Sequence, residues 1–388
     1  MMISLPTRFE AYGAVKIFEL SRVLELDSLG LSSKPSGTHT LDYETMEEYA
    51  ASTAIVVPVK DEELITLEGV LRAIPHASPI VLVSASQVSP VDMYSREVEL
   101  ARTLHSVTGR EILVIHQRDP AWAEVLAGTP LEDMLSGGTV KSGKGEGMIL
   151  GVLAAAGIGA RYVGFIDSDN YVPGAANEYS KIYYAGFSLS ESPYTMVRIV
   201  WHYKGKLASS DMYLRKRGRV SMHTNSVINY ALSRIRRVET DIVRTANSGE
   251  HAMSIELALS MRWAGGFAVE PYQIVQLLED CFLGLEEGSC RLLPEGVNIL
   301  QIEARNPHIH AERGDEHIAG MLAESLGTVY YSRLGSDEEV RERILSLLKD
   351  YGYEGEPPKP RVYSLEGIDS DKTISTLLAE SRLAYYFK

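Results

Sequence analysis

Asp167 and Asp169 stand one residue apart at the end of the string Tyr-Val-Gly-Phe-Ile, and Asn170, Tyr171, Val172, Pro173 and Gly174 follow. A short apolar, β-branched and aromatic run reads as a buried strand, and the abrupt change to carboxylates marks its end. In a doubly wound α/β sheet, ligands occupy the crevice beyond the carboxyl ends of the strands, so both acids would project there. Two carboxylates at this spacing suit a hard divalent cation, Mg²⁺ or Mn²⁺, shared with a diphosphate. The bland counterpart is a solvated turn closed by Asx hydrogen bonds.

Other groups could join them. Ser142, Gly143, Lys144, Gly145, Glu146 and Gly147 open an apolar helix. A glycine-rich turn at a helix N-terminus, with a lysine in it, is a seat for an anion; a flexible linker is the alternative. From Gly138 the string nearly matches a P-loop, but Gly145 replaces the Ser or Thr that would hold Mg²⁺, and no strand precedes it. His308 and His310 follow a strand and would present two imidazoles on one side, fit for a divalent metal or simply surface polar. No HExxH accompanies them, which argues against a zinc hydrolase. Glu250 is either a catalytic carboxylate or, with Asn247 as N-cap, the third-position member of a capping box. The basic segment 204–219, with Arg217, forms either a solvated face or a gate for a multiply charged substrate, and Arg198 lies in the strand expected before it.

The elements that must position these groups alternate. Strands are expected at 54–59, 79–84 and 111–116, with helices from 64 and over 92–107 between them. That order calls for a parallel, right-handed, helix-covered sheet. Its strand ends carry Lys60, residues 84–86 and the run 116–120, all converging on the crevice of Asp167. Further on, helices are expected over 175–189, 224–238, 271–283, 316–331 and 337–349, with strands over 194–201 and 296–303.

With 388 residues the chain can bury a large core. A formal charge of −14 argues against nucleic acid or an anionic membrane as partner. No apolar stretch reaches about 18 residues and the start carries no leader pattern, so a cytoplasmic protein is expected. Cys281 and Cys290 have no CxxC spacing and read as free thiols in a reducing compartment. Phosphatases of the haloacid dehalogenase type also place Asp-x-Asp after a strand. They want Thr or Val where Tyr171 stands, and they open their domain with that strand.

Taken together, the strings 54–60, 116–120, 142–148, 162–171, 194–198, 249–253 and 306–308 resemble those of the mannosyl-3-phosphoglycerate synthases, retaining glycosyltransferases of family 55. The resemblance runs from about Ala14 to about Ser332, departing where Ser168 and Ser248 replace alanines. It implies a GT-A type α/β fold, a mostly parallel nucleotide-binding sheet covered by helices, with a C-terminal acceptor-side extension. The implied organisation is an N-terminal segment (1–50), a nucleotide-sugar core (51–200), an acceptor-side and metal-completing region (201–350), and a Pro-rich linker with a tail (351–388). The implied reaction moves mannose from GDP-mannose to the 2-hydroxyl of 3-phosphoglycerate. Pro58, Val59, Lys60, Ser86, Gln117, Lys144, Asp167 and Ser168 would then bind the donor, while Asp169 and His308 would hold the metal. A homodimer is usual for such a family, and a separate phosphatase would release mannosylglycerate.

Asp167 and Glu250 are the carboxylates nearest to the chemistry in this reading, and neither is an unambiguous nucleophile. Same-face attack, with the departing phosphate oxygen taking the acceptor's proton, is therefore expected over double displacement. Arg198 and Arg217 are the candidates for the acceptor's phosphate and carboxylate, because arginine offers both a bidentate fork. Two rivals belong to other classes: a sugar nucleotidylyltransferase, whose glycine-rich loop would directly follow the first strand, and a sugar-nucleotide sensor without turnover.

Overall fold

The strand that delivers the acids forms as expected, over Tyr162–Phe165, and lies parallel to Thr53–Val59. A computed structural model describes residues 1–27, 36–208, 211–215, 218–310 and 315–388. Across the central sheet the order is Ala384–Phe387, Ile112–His116, Ile80–Ser84, Thr53–Val59, Tyr162–Phe165, His251–Ser254, Tyr194–Val200 and Val297–Glu303, continuing into Ser21–Glu25, Met2–Ser4 and Thr38–Thr40. The four strands from 112 to 165 are mutually parallel, which brings their carboxyl ends to one edge.

These strands are apolar throughout because both faces are covered. Successive side chains point to opposite sides. Val56, Val81, Val83, Leu113 and Ile115 pack on one side with Met148, Val152 and Ala155 of the helix Lys144–Gly157. Ile55, Val57, Leu82 and Val114 pack on the other with residues of the helices Leu64–Ala73, Met93–Thr108 and Pro173–Leu189.

Three expectations are corrected here. Glu250 does not sit in a capping box. The chain after it is a strand, His251–Ser254, inserted antiparallel between Tyr162–Phe165 and Tyr194–Val200, and the helix starts only at Ile255. The segment 351–388, expected as a Pro-rich linker and a tail, packs on the rest of the fold. Val362–Ser364 pairs with Arg262–Ala264, Ile374 of the helix Ser370–Glu380 lies against Gly157, and Ala384–Phe387 completes the sheet edge on Ile112–His116. Cys281 and Cys290 are joined as a disulfide, not free. The intervening loop turns back through Leu285–Glu287 and through Gly288 at a φ of 69°, a reversal that spacing alone does not reveal.

Ser86 also departs from its expected place on the ligand wall. It is 2% exposed, its hydroxyl donates to Glu97 Oε1, and it accepts from the Asp61 N–H at 2.7 Å. It thus braces the loop after Thr53–Val59 from below. Glu97 is wholly buried, and burial pushes its carboxyl up to about 7, against the opposing pull of the Ser84 and Ser86 hydroxyls. The folded protein holds this proton more tightly than the unfolded chain does. The associated stability is therefore fully present below the ordinary value of 4.5 and is lost as pH rises through about 7.

Thermal melts of the wild type and Glu97→Gln at pH 5 and pH 8 check this. The wild type should lose on the order of 2 kcal/mol relative to the variant between the two. An equal gap at both pH values would show that Glu97 does not titrate in this window.

Candidate active site

A cavity of about 700 Å³ opens at the carboxyl ends of the parallel strands. Pro58, Val59, Lys60, Gln117, Lys144, Asp167, Ser168, Asp169 and His308 all contribute to its wall, so the sequence-predicted donor and metal residues other than Ser86 meet in one place.

Lys144 is the electrostatic centre of that wall. It is the first residue of the helix Lys144–Gly157, and its Nζ lies 2.8 Å from Asp167 Oδ1 and 2.9 Å from Glu270 Oε1. Burial alone would lower its pKa, but the two carboxylates more than offset this and hold the ammonium above its ordinary value. The glycines around it serve packing: a Cβ on Gly145 would stand 2.2 Å from Ala264 O. Gly249 is constrained by the ion pair itself, since its Cβ would meet Asp167 Oδ2 at 2.7 Å and Lys144 Nζ at 3.0 Å.

Gln117 anchors the glycine-rich turn from the side. Its amide donates to Lys141 O at 2.9 Å and to Gly143 O at 3.0 Å.

The turn after Asp167 is held against the strand His308–His310. The Tyr171 N–H donates to Ile309 O at 2.8 Å, and the Val172 N–H donates to Asn170 Oδ1 at 3.0 Å. Glu178 fixes the approach to His308 by accepting from the backbone N–H groups of Arg305 and Asn306, at 2.6 and 2.7 Å. His308 Nδ1 faces Glu250 Oε1 at 3.2 Å, and Trp201 Nε1 donates to Glu250 Oε2 at 2.9 Å. Glu250 is 0% exposed and does not form part of the cavity wall. Its expected catalytic contact with substrate is therefore corrected to a position behind His308.

Arg198 is corrected more fully. Strand pairing sets it opposite His251, wholly buried. Its guanidinium donates to Thr245 O, Ala246 O, Glu270 O, Gln273 Oε1 and Met196 Sδ, which occupies all five N–H groups and leaves nothing for an acceptor. Burial lowers its pKa to about 10. Arg217 lies outside the described residues, between the paired strand Asp211–Arg215 and Gly218.

The wall also contains Asn247, read from sequence only as an N-cap, and groups that the sequence did not reveal: Trp201, Glu270, His317, Glu324 and Arg361. Glu270 carried one faint signal, its place in the first turn of a helix behind Gly265 and Gly266. The rest carried none.

The donor set fits a divalent cation. Asp169 supplies a hard carboxylate and His308 an imidazole on the same wall, the His308 Nδ1 lying 3.2 Å from Glu250 Oε1 and 3.4 Å from Asn170 Nδ2. Among the described residues no group of three or more His, Cys, Asp or Glu converges as a closed metal cage. Two protein ligands are what a cation shared with a diphosphate requires.

The profile of the family described as mannosyl-3-phosphoglycerate synthase (osmo_MPGsynth) matches residues 5–377. A mannosyl-3-phosphoglycerate synthase of Aeropyrum pernix is 56% identical over 388 residues, the whole of both chains. That of Pyrococcus furiosus is 43% identical over 369 residues, 93% of each. Among solved structures, glucosyl-3-phosphoglycerate synthase of Mycobacterium tuberculosis in complex with UDP superposes with a TM-score of 0.50 at 20% identity, covering 77% of this chain and 87% of that one. The same enzyme with Mn²⁺, UDP-glucose and phosphoglyceric acid gives 0.50 at 20% identity, over 79% and 87%. At this identity the likeness is one of fold, the GT-A type expected from the sequence. Full-length identity carries the rest: the chain is a glycosyltransferase and belongs to the mannosyl-3-phosphoglycerate synthase family.

Proposed function

We propose that this cavity transfers mannose from GDP-mannose to the 2-hydroxyl of 3-phosphoglycerate with retained anomeric configuration, releasing GDP. One observation carries the reading: Asp169 and His308, a metal-compatible pair, share a wall with the Lys144–Asp167 ion pair in a chain 56% identical to a mannosyl-3-phosphoglycerate synthase. Pro58, Val59 and Lys60 line the nucleotide end, and Lys144 lies near the diphosphate. Asp167, fixed through Oδ1, faces the sugar and ribose. Bound by Asp169 and His308, Mg²⁺ or Mn²⁺ would supply Lewis-acid neutralisation of the charge on the departing diphosphate.

The placement of the acids supports same-face attack. Double displacement needs a carboxylate free to reach the anomeric carbon. Glu250 is buried between Trp201 and His308, and Asp167 is tied to Lys144. In the same-face course the bond from the anomeric carbon to the acceptor oxygen forms as that to the phosphate oxygen breaks. The departing oxygen takes the hydroxyl proton. The proposal extends to a cytoplasmic homodimer whose product passes to a separate phosphatase; among the described residues no helix is long and apolar enough to cross a membrane.

Wild type given GDP-mannose, 3-phosphoglycerate and Mg²⁺ should yield a phosphorylated α-mannosyl product, and chelator should abolish it. Asp169→Ala and His308→Ala should each lower turnover by about 100-fold or more and weaken Mn²⁺ binding, read directly by calorimetry, about 10-fold or more. Turnover with GDP-glucose but not GDP-mannose would refute the donor assignment. A mannosyl adduct trapped on Asp167 or Glu250 would refute same-face attack.

Gly249→Ala adds a single methyl against the Lys144–Asp167 pair. It should lower kcat about 100-fold while the melting temperature falls only slightly, because an ångström of misplacement costs that much in catalysis. Near-normal kcat in this variant would mean that the position of Asp167 does not matter to the reaction.

A further inference from the structure

The segment read from sequence as a linker places a guanidinium on the cavity wall. Arg361 immediately precedes the strand Val362–Ser364, and the Gly265 N–H donates to Arg361 O at 2.9 Å, which fixes its backbone beside Gly265 and Gly266. Its Nη2 lies 2.7 Å from Glu146 Oε1. Glu146 is wholly buried and is itself held by the Gly266 N–H at 2.9 Å and the Tyr363 hydroxyl at 3.1 Å. The anchor is therefore rigid and dry, while the Arg361 side chain is 49% exposed and lines the cavity. A guanidinium has five N–H donors in a planar fork; Glu146 meets this one at Nη2, and the Tyr363 hydroxyl also bonds to the side chain, which leaves further donors open.

Charge decides what this group is for. The proposed acceptor carries a phosphate and a carboxylate, yet the wall presents Glu62, Asp167, Asp169, Glu270 and Glu324. Among the described residues, its lysine and arginine side chains are Lys60, Lys144 and Arg361. Lys144 already meets two carboxylates. Lys60 directly follows the strand Thr53–Val59, at the nucleotide end. Arg361 comes from other elements, beside Gly265, and the family match extends past it.

We propose that Arg361 receives an anionic oxygen group of the acceptor, phosphate or carboxylate, through the donors that Glu146 leaves open. This rests on the acceptor being 3-phosphoglycerate. The role expected of Arg198 thus passes to an arginine of the C-terminal segment. Bidentate charge-assisted hydrogen bonding makes the fork, and not merely the charge, the recognition element.

The test compares the wild type, Arg361→Gln and Arg361→Lys. Steady-state rates are measured with GDP-mannose and Mg²⁺, and 3-phosphoglycerate binding is titrated calorimetrically in the presence of GDP and Mg²⁺. In Arg361→Gln the KM and the calorimetric Kd for 3-phosphoglycerate should rise about 10- to 100-fold, while the KM for GDP-mannose changes less than about twofold. Arg361→Lys keeps the charge and the Glu146 pair, so it should fold as the wild type does and lose an intermediate amount. Glycerol 3-phosphate and glycerate, used as competing ligands, identify the group: the ligand lacking it binds the wild type and Arg361→Gln equally. Unchanged 3-phosphoglycerate affinity in both variants, or a loss that falls on GDP-mannose instead, overturns the assignment while leaving the reaction intact. A wild type that neither binds 3-phosphoglycerate nor transfers mannose to it overturns the reaction and the assignment together.

Discussion

A single ammonium between two carboxylates organises the catalytic end of this fold. Lys144 stands at the first position of a helix, where the dipole disfavours a cation, and in surroundings that disfavour a charge of either sign. Asp167 and Glu270 offset both penalties. They reach Lys144 from separate elements, the end of Tyr162–Phe165 and the start of the helix Val269–Leu278. Satisfying one partly buried charge thus fixes three elements relative to one another. The pair also dictates what passes beside it: the chain at 249 has room for a hydrogen and no more.

Around that centre the structure uses buried acids as ties, not as reagents. Glu146 takes one backbone N–H and two side chains, Glu178 takes two backbone N–H groups, and Glu250 takes the Trp201 indole and faces His308. A buried carboxylate is costly unless its oxygens are met by donors, and once met it specifies the position of every donor it holds. This is why a chain with a formal charge of −14 can line a cavity for anionic substrates. Several of its acids are engaged internally, and among the described residues the lysine and arginine side chains on the cavity wall are few and individually placed.

The legible part of the sequence was the part governed by short-range pattern. Apolar runs of five to seven residues ending in polar ones marked the parallel strands, and strand ends converge by topology, so Asp167, Asp169, Lys60 and Gln117 could be brought together on paper. What failed depended on which way a side chain points. Arg198 and Ser86 lie on or just past apolar strands, but pairing with His251–Ser254 turns Arg198 into the core, and Glu97 draws Ser86 below the loop. The strand His251–Ser254 is only four residues long and follows an Asn-x-x-Glu string that imitates a helix start. Glu270 and Arg361 lie 126 and 215 residues from their partners Lys144 and Glu146, too far for any local rule to join them.

The true position of Arg198 is more informative than the expected one. Its Nη1 donates to Gln273 Oε1, Gln273 Nε2 donates to His251 Nε2 at 2.9 Å, and His251 Nδ1 lies 3.0 Å from Ser248 O and 3.1 Å from Gly249 O. Burial, reinforced by the Arg198 charge, drives the His251 pKa well below its ordinary value, so the ring is neutral. A neutral ring that accepts at Nε2 must donate at Nδ1, which assigns the tautomer and points its N–H at the 248–249 carbonyls. Each link has one satisfactory orientation, so the chain of bonds transmits no slack. Glycine at 249 has more backbone freedom than any residue with a side chain. Backed by this relay, its backbone is held where the Lys144–Asp167 pair needs an empty space, and a wholly buried arginine thereby helps to set the position of an acid on the cavity wall.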